Sequence, residues 1–163
     1  MDNFSRIPQI KTLTETHLAG LSLQMCLAQK QTSQLWQNFM PAYKQHNIWA
    51  NNFLYSVEEY DENYFKNFST NNFFTKWAAA PLQTGAIMPP GFTALILPQG
   101  LYAVFNYKGL ASQAAPMYNY IFNQWLPNSG YLLDARPHFA LMGQAYKNNS
   151  QDSEEEIWVP VKG

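Results

Sequence analysis

The sequence predicts an α+β fold made by tandem duplication of one strand/helix module, with about eight mostly antiparallel strands, two long helices and a ligand cleft between the halves. Three observations predict it. Alternating strand-like runs recur at an offset of about 81 residues, half of the 163-residue chain. A helical stripe recurs at nearly the same offset. The chain also carries 5 Trp, 10 Tyr and 11 Phe, 16% of its residues and more rings than one core of this size needs.

Module one, about residues 9–82, opens on the alternating run IKTLTE (Ile10–Glu15), which returns 82 residues later as FTALIL (Phe92–Leu97). Gly20 and Leu21 open a second strand, LSLQMC, and Gly100 and Leu101 open its match, YAVFNY, 80 residues on. Trp36, Phe39, Met40 and Tyr43 then form a stripe at i, i+3, i+4, i+7, the spacing of one helix face. Its repeat in module two, about residues 91–162, is Tyr118, Ile121, Phe122 and Trp125. The third strands are FLYSVEEY (Phe53–Tyr60) and HFALMGQ (His138–Gln144). The last are TKWAAAP and EIWVPV, with Trp77 and Trp158 in matching places.

Punctuation agrees with these limits. Pro98-Gln99-Gly100 reads as a turn between two runs. Thr32 or Ser33 is placed to cap the first helix and Ser112 the second, while Leu126-Pro127-Asn128 ends the second because proline cannot extend it. Pro41 disturbs the last turn of the first helix. Gln83–Gly91, with its Pro-Pro-Gly cluster, links the modules, and Asn47–Asn52, Asp61–Asn72 and Lys147–Ser153 read as polar loops. The whole of residues 1–163 is expected to form one domain.

Composition excludes several classes. Apolar residues reach 47%, enough for a core, and charged residues only 13%, with net charge −1. A surface that tracks phosphates needs a basic excess, so nucleic acid is not expected as a direct partner. No run approaches a membrane span and no signal peptide opens the chain, so a cytoplasmic location without membrane contact is expected. The single Cys26 cannot close an internal disulfide. His17, His46 and His138 lie far apart, so no metal is expected, and without a phosphate loop or dinucleotide fingerprint no cofactor is either. Oligomeric state is not readable.

The chemistry gathers on the last strand. Period-2 alternation puts Glu156 and Trp158 on one face and Ile157, Val159 and Val161 on the other, which a half-buried strand hides. Trp77 joins the Glu156 face by the repeat. Indole faces attract cations, a carboxylate among them adds counter-charge, and the same surroundings poise a carboxyl for proton transfer. The ordinary reading of Glu154–Glu156 is a solvated strand entrance, and that of both tryptophans and Trp36 is core packing; these stay open.

The strings GLYAVFNYKG, YIFNQWLPNSGY, LDARPHFALMG and EEEIWVPVK, with LWQNFMPAYK and KWAAAP in the first half, resemble the GyrI-like small-molecule-binding family across about residues 10–162. This is the family of the gyrase inhibitory protein and of effector-binding domains of AraC-type regulators. The resemblance implies a hydrophobic pocket between the halves whose acid, here Glu156, meets cationic and often aromatic ligands. Trp77, Trp158, Trp36, Tyr55, Tyr107 and Phe139 are the further pocket candidates. An acid often follows the Phe of the RPHF segment in the family, whereas this chain has Ala140. Only about nine residues precede the first strand, so the DNA-binding region of regulator members is not expected here. The expected function is a stand-alone binder of hydrophobic, planar or cationic small molecules. The alternatives are a hydrolase of cyclopropane-containing electrophiles, with Glu156 as general base, Tyr55 or Tyr107 assisting and the two tryptophans sandwiching the substrate, and a protein-interaction adaptor such as a gyrase modulator.

Overall fold

In the computed structural model, which describes residues 3–148 and 150–163, the alternating runs become β1 (Gln9–Leu13), β2 (Thr16–Cys26), β3 (Leu54–Glu59) and β4 (Phe73–Pro81) in module one. Module two supplies β5 (Thr93–Leu97), β6 (Gly100–Lys108), β7 (Leu132–Leu133), β8 (His138–Met142) and β9 (Glu154–Lys162). The ends of the expected domain at residues 1 and 2, and residue 149 of the third expected loop, lie outside the described residues.

All the strands join one antiparallel, curled sheet in the order β1-β6-β9-β8-β3-β4-β2-β5, with β7 added on β9. The order is symmetric about the β8–β3 pair: β9 and β4, then β6 and β2, then β1 and β5 occupy matching places on either side. The first strands are exchanged. β1 of module one pairs with β6, and β5 of module two with β2. At Pro98–Gly100 the chain only bends, and the strands on either side part company rather than making a hairpin.

The register also corrects the glycine match. Trp77 lies opposite Ser22 and Trp158 opposite Val104, so the structural counterpart of Gly20 is Tyr102, not Gly100. Gly20 has its own reason to be glycine: a Cβ there would lie 2.0 Å from the Ala78 carbonyl oxygen.

Both helical stripes pack on one face of the sheet. In α1 (Thr32–Gln45) Phe39 is fully buried, with Trp36, Met40 and Tyr43 around it against Ala19, Ala78 and Phe92. The helix runs through Pro41 to Gln45 rather than fraying there. The second helix is less regular: α2 (Ala115–Tyr120) widens into a π turn (Ile121–Trp125) and closes in α3 (Leu126–Asn128). Ile121 and Met117 are its buried residues, against Phe105, Ile157, Val159 and Val161. The expected caps do not form. Gln31 and Ala114 hold the N-cap positions with no side-chain hydrogen bond, Thr32 instead donates to the Met25 sulfur, and Ser112 sits in a 3₁₀ turn.

The stretch Asp61–Asn72 is not merely a polar loop. Its Tyr64 is buried, and its Phe65 stacks on Phe122 of module two (5.3 Å) and on His138 (5.7 Å), tying the modules together on the helix side. Among the described residues no helix is long and apolar enough to cross a membrane.

Candidate functional site

The face of the sheet opposite the helices is built from every second residue of eight strands, and curling makes it concave. Its centre is a row across four neighbouring strands: Trp158 (β9), Phe139 (β8), Val57 (β3) and Trp77 (β4), each directly opposite the next. Phe139 and Val57 are almost wholly buried, and the two indoles are 8% exposed. No helix lies on them; the curl of the sheet encloses them, together with Tyr102, Val104, Leu18, Leu95 and Leu97.

The sequence-derived alternation holds in β9. Ile157, Val159 and Val161 face α2, while Trp158 and Glu156 face the hollow. The Trp158 indole N–H donates to Glu156 Oε1 at 3.2 Å, and its ring stacks on Phe139 at 5.1 Å and 18°. Tyr55 closes the group, with its ring 5.4 Å from Phe139. Burial, and after it the negative charge of Glu156, raise the Tyr55 hydroxyl above its ordinary value. Trp158, Phe139, Tyr55 and Glu156 therefore form one constellation.

The other indole is served in the same way by an acid that sequence reasoning missed. Trp77 Nε1 donates to Glu59 Oε1 at 2.5 Å. Glu59 lies opposite Thr75, as Leu141 lies opposite Glu156. Each half thus has one acid in this cross-strand pair, on β3 in module one and on β9 in module two. Looking only for an acid at the position matching Glu156 finds Thr75; the signal was the alternation of Val57 and Glu59 on one face of β3. The two indoles stand on the first and fourth strands of the row, three interstrand gaps of about 4.8 Å apart along the sheet. They bracket Phe139 and Val57 along the row.

Beside Glu156 lies a cleft of about 690 Å³, walled by Phe53, Asn106, Leu141 and Gly143 and, from the other face of β6 and β9, by Tyr107 and Glu155, with Phe4 and Glu154 at its rim. That volume falls in the range of small-molecule sites, roughly 300–1,000 Å³. The acidic run is split three ways: Glu154 is exposed, Glu156 is half-buried at the hollow, and Glu155 points to the helix side. Burial pushes the Glu155 carboxyl up to about 6, with Lys76 opposing the shift and Glu58 adding to it. Lys76 is itself bound to Glu58 at 2.6 Å.

Two candidates stand apart from Trp158, although Tyr107 also lines the cleft beside Glu155. Trp36 lies on α1, edge-on to Phe39 at 5.4 Å and across the sheet from the hollow. Tyr107 is 1% exposed and faces α2, where its hydroxyl donates to the Leu110 carbonyl. Neither touches the constellation around Trp158. Among the described residues no group of three His, Cys, Asp or Glu side chains is placed to hold a metal.

Solved structures share this fold at low identity. SAV2435 bound to tetraphenylphosphonium superposes with a TM-score of 0.70 and 17% identity over 96% of this chain and 94% of that one. EcmrR, in a complex with DNA, gives 0.70 and 15% over 98% of this chain and 58% of its own. A hydrolase encoded by lin2189 from Listeria innocua gives 0.57 and 13% over 96% and 92%. No curated protein matches the sequence. The profile of the GyrI-like small molecule binding domain matches residues 7–162, and the chain belongs to that family.

Proposed function

We propose, from membership of this small-molecule-binding family, that the concave face binds hydrophobic, planar or cationic small molecules, with Trp158, Phe139 and Tyr55 as the apolar wall and Glu156 as the counter-charge. The observation that carries the reading is the grouping of an indole, the carboxylate bonded to its N–H and two further rings on a face that no helix covers, with that carboxylate also lining a cleft of about 690 Å³. The indole faces are worth about 0.5–2 kcal/mol each to a bound cation, more as water is excluded. A carboxylate held in low dielectric adds attraction that the same group in open water would not. Trp77 and Glu59 repeat the pairing across the pseudo-twofold axis and extend the wall for ligands that reach past Val57.

Tetraphenylphosphonium, the ligand named for SAV2435, is a suitable probe, because tetraphenylborate has nearly the same shape and opposite charge. Calorimetric titration of the full chain with both ions is expected to show binding of the cation and little of the anion. Glu156→Gln removes most of that preference. Equal binding of both ions by the parent protein would remove the charge argument, and failure to bind either would remove the pocket.

A hydrolase is the second reading, favoured by one observation: Glu155, with its carboxyl raised to about 6, borders the same cleft as Glu156. A base of that strength is suited to activating water near neutral pH. Turnover of an electrophilic aromatic compound that survives Glu156→Gln but is lost in Glu155→Gln would favour it; stabilisation by ligand without product favours the binder.

A further inference from the structure

We propose that Lys11 is a tethered cation lodged over Trp158, which a bound hydrophobic cation must displace and which therefore sets the charge preference of the pocket. The proposal rests on the reading of the concave face given above. Lys11 belongs to β1, the strand that module one lends to module two, and lies opposite Tyr102. From there its Nζ reaches to 5.7 Å from the centroid of the Trp158 ring, inside the roughly 6 Å range of a cation–π contact.

The Trp158 N–H edge is already bonded to Glu156, so the ring face is what this indole has left to offer a positive charge. Lys11 is half-buried, and among the described residues no carboxylate lies within 4 Å of its ammonium: the ion pairs there join His17 to Glu15, Lys76 to Glu58 and Arg136 to Asp134. An ammonium held against a ring without a counter-ion is where an arriving cation would otherwise sit.

The repeat sharpens the point. The residue that matches Lys11 in module two's lent strand is Thr93, opposite Gly20 as Lys11 is opposite Tyr102. Trp77 therefore has a neutral hydroxyl where Trp158 has a charge. The two indole–carboxylate pairs thus differ in charge beside the ring as well as in the strand that carries the acid.

The test is a titration of the full-length Lys11→Met and Lys11→Arg variants with tetraphenylphosphonium and tetraphenylborate at low salt. Methionine keeps an unbranched stem one atom shorter and removes the charge. Lys11→Met is expected to bind the phosphonium roughly three- to tenfold more tightly than the parent and the borate more weakly, while Lys11→Arg matches the parent. Equal phosphonium affinity in the parent and Lys11→Met overturns the proposal and leaves the pocket standing. Binding by Lys11→Met alone supports it in its strongest form. If neither protein binds the phosphonium, the pocket reading fails and this proposal with it.

Discussion

At the scale of single residues, the two indole–carboxylate pairs explain why a chain with so few charges keeps half-buried glutamates on a concave aromatic face. Trp158→Ala is a poor probe of that face: truncating a buried Trp costs about 3–5 kcal/mol of stability, which would mask any loss of binding. Glu156→Gln and Glu59→Gln keep the shape and the hydrogen-bond acceptor. Both should weaken tetraphenylphosphonium, Glu156→Gln by about tenfold or more and Glu59→Gln by less, because the cleft lies beside Glu156; isothermal titration measures both. A larger effect at Glu59 would move the site to module one. His138 makes a separate prediction. It is buried against Tyr60, Phe65 and Phe122, and burial, helped by the Arg136 charge, lowers it from 6.5 to about 3. The unfolded chain takes up a proton below 6.5 and the native state does not, so stability present above that pH is lost as pH falls toward about 3. Melting temperatures between pH 7 and pH 4 should fall more steeply for the parent than for His138→Phe; parallel curves would contradict this. Alternation alone placed Glu156 and Trp158 on one face of β9, and the family resemblance pointed to that face as a pocket. Glu59 was not legible, because its counterpart acid is on a different strand of the other half.

At the scale of elements, strands and helices were legible because their apolar periods differ, 2 against 3.6. What the periods do not carry is which strand pairs with which. The Pro98–Gly100 segment has the chemistry of a hairpin, yet β5 and β6 part because each finds a better partner in the other half of the sheet. The caps failed for a related reason: both helices are held by packing of Phe39 and Ile121 on the sheet, which makes a side-chain cap dispensable. Asp61–Asn72 looked polar by count, but its Tyr64 is buried in module one and its Phe65 reaches back to cover the seam. Gly20 gives the sharpest test at this scale. Gly20→Ala would drive a methyl into the Ala78 carbonyl between two strands, so a loss of more than about 2 kcal/mol in urea unfolding is expected. Gly91→Ala, with nothing within 4 Å of its Cβ but a φ of +86°, should cost less, about 1 kcal/mol.

At the scale of the whole molecule, exchange of β1 and β5 makes the two modules one cooperative unit. Without module one, β6 loses its outer partner; without module two, β2 loses its own and the central β3–β8 pairing disappears. Residues 1–90 and 91–163 expressed separately should each lack a cooperative melt by circular dichroism. A cooperative melt from either half alone would contradict the exchange. The duplication itself was plain in the sequence, whereas the exchange was not, since an offset between matching residues carries no information about whose edge a strand completes. The hollow between the halves follows from the same symmetry: its floor is the row Trp158, Phe139, Val57 and Trp77, shared equally by both modules. The most direct measurement is a crystal structure of the full chain soaked with tetraphenylphosphonium, whose phosphorus is easily located. The account predicts phosphorus density on the concave face beside Trp158 and Glu156, with the Lys11 ammonium moved off the ring. Density on the helix side, near Trp36, would contradict it.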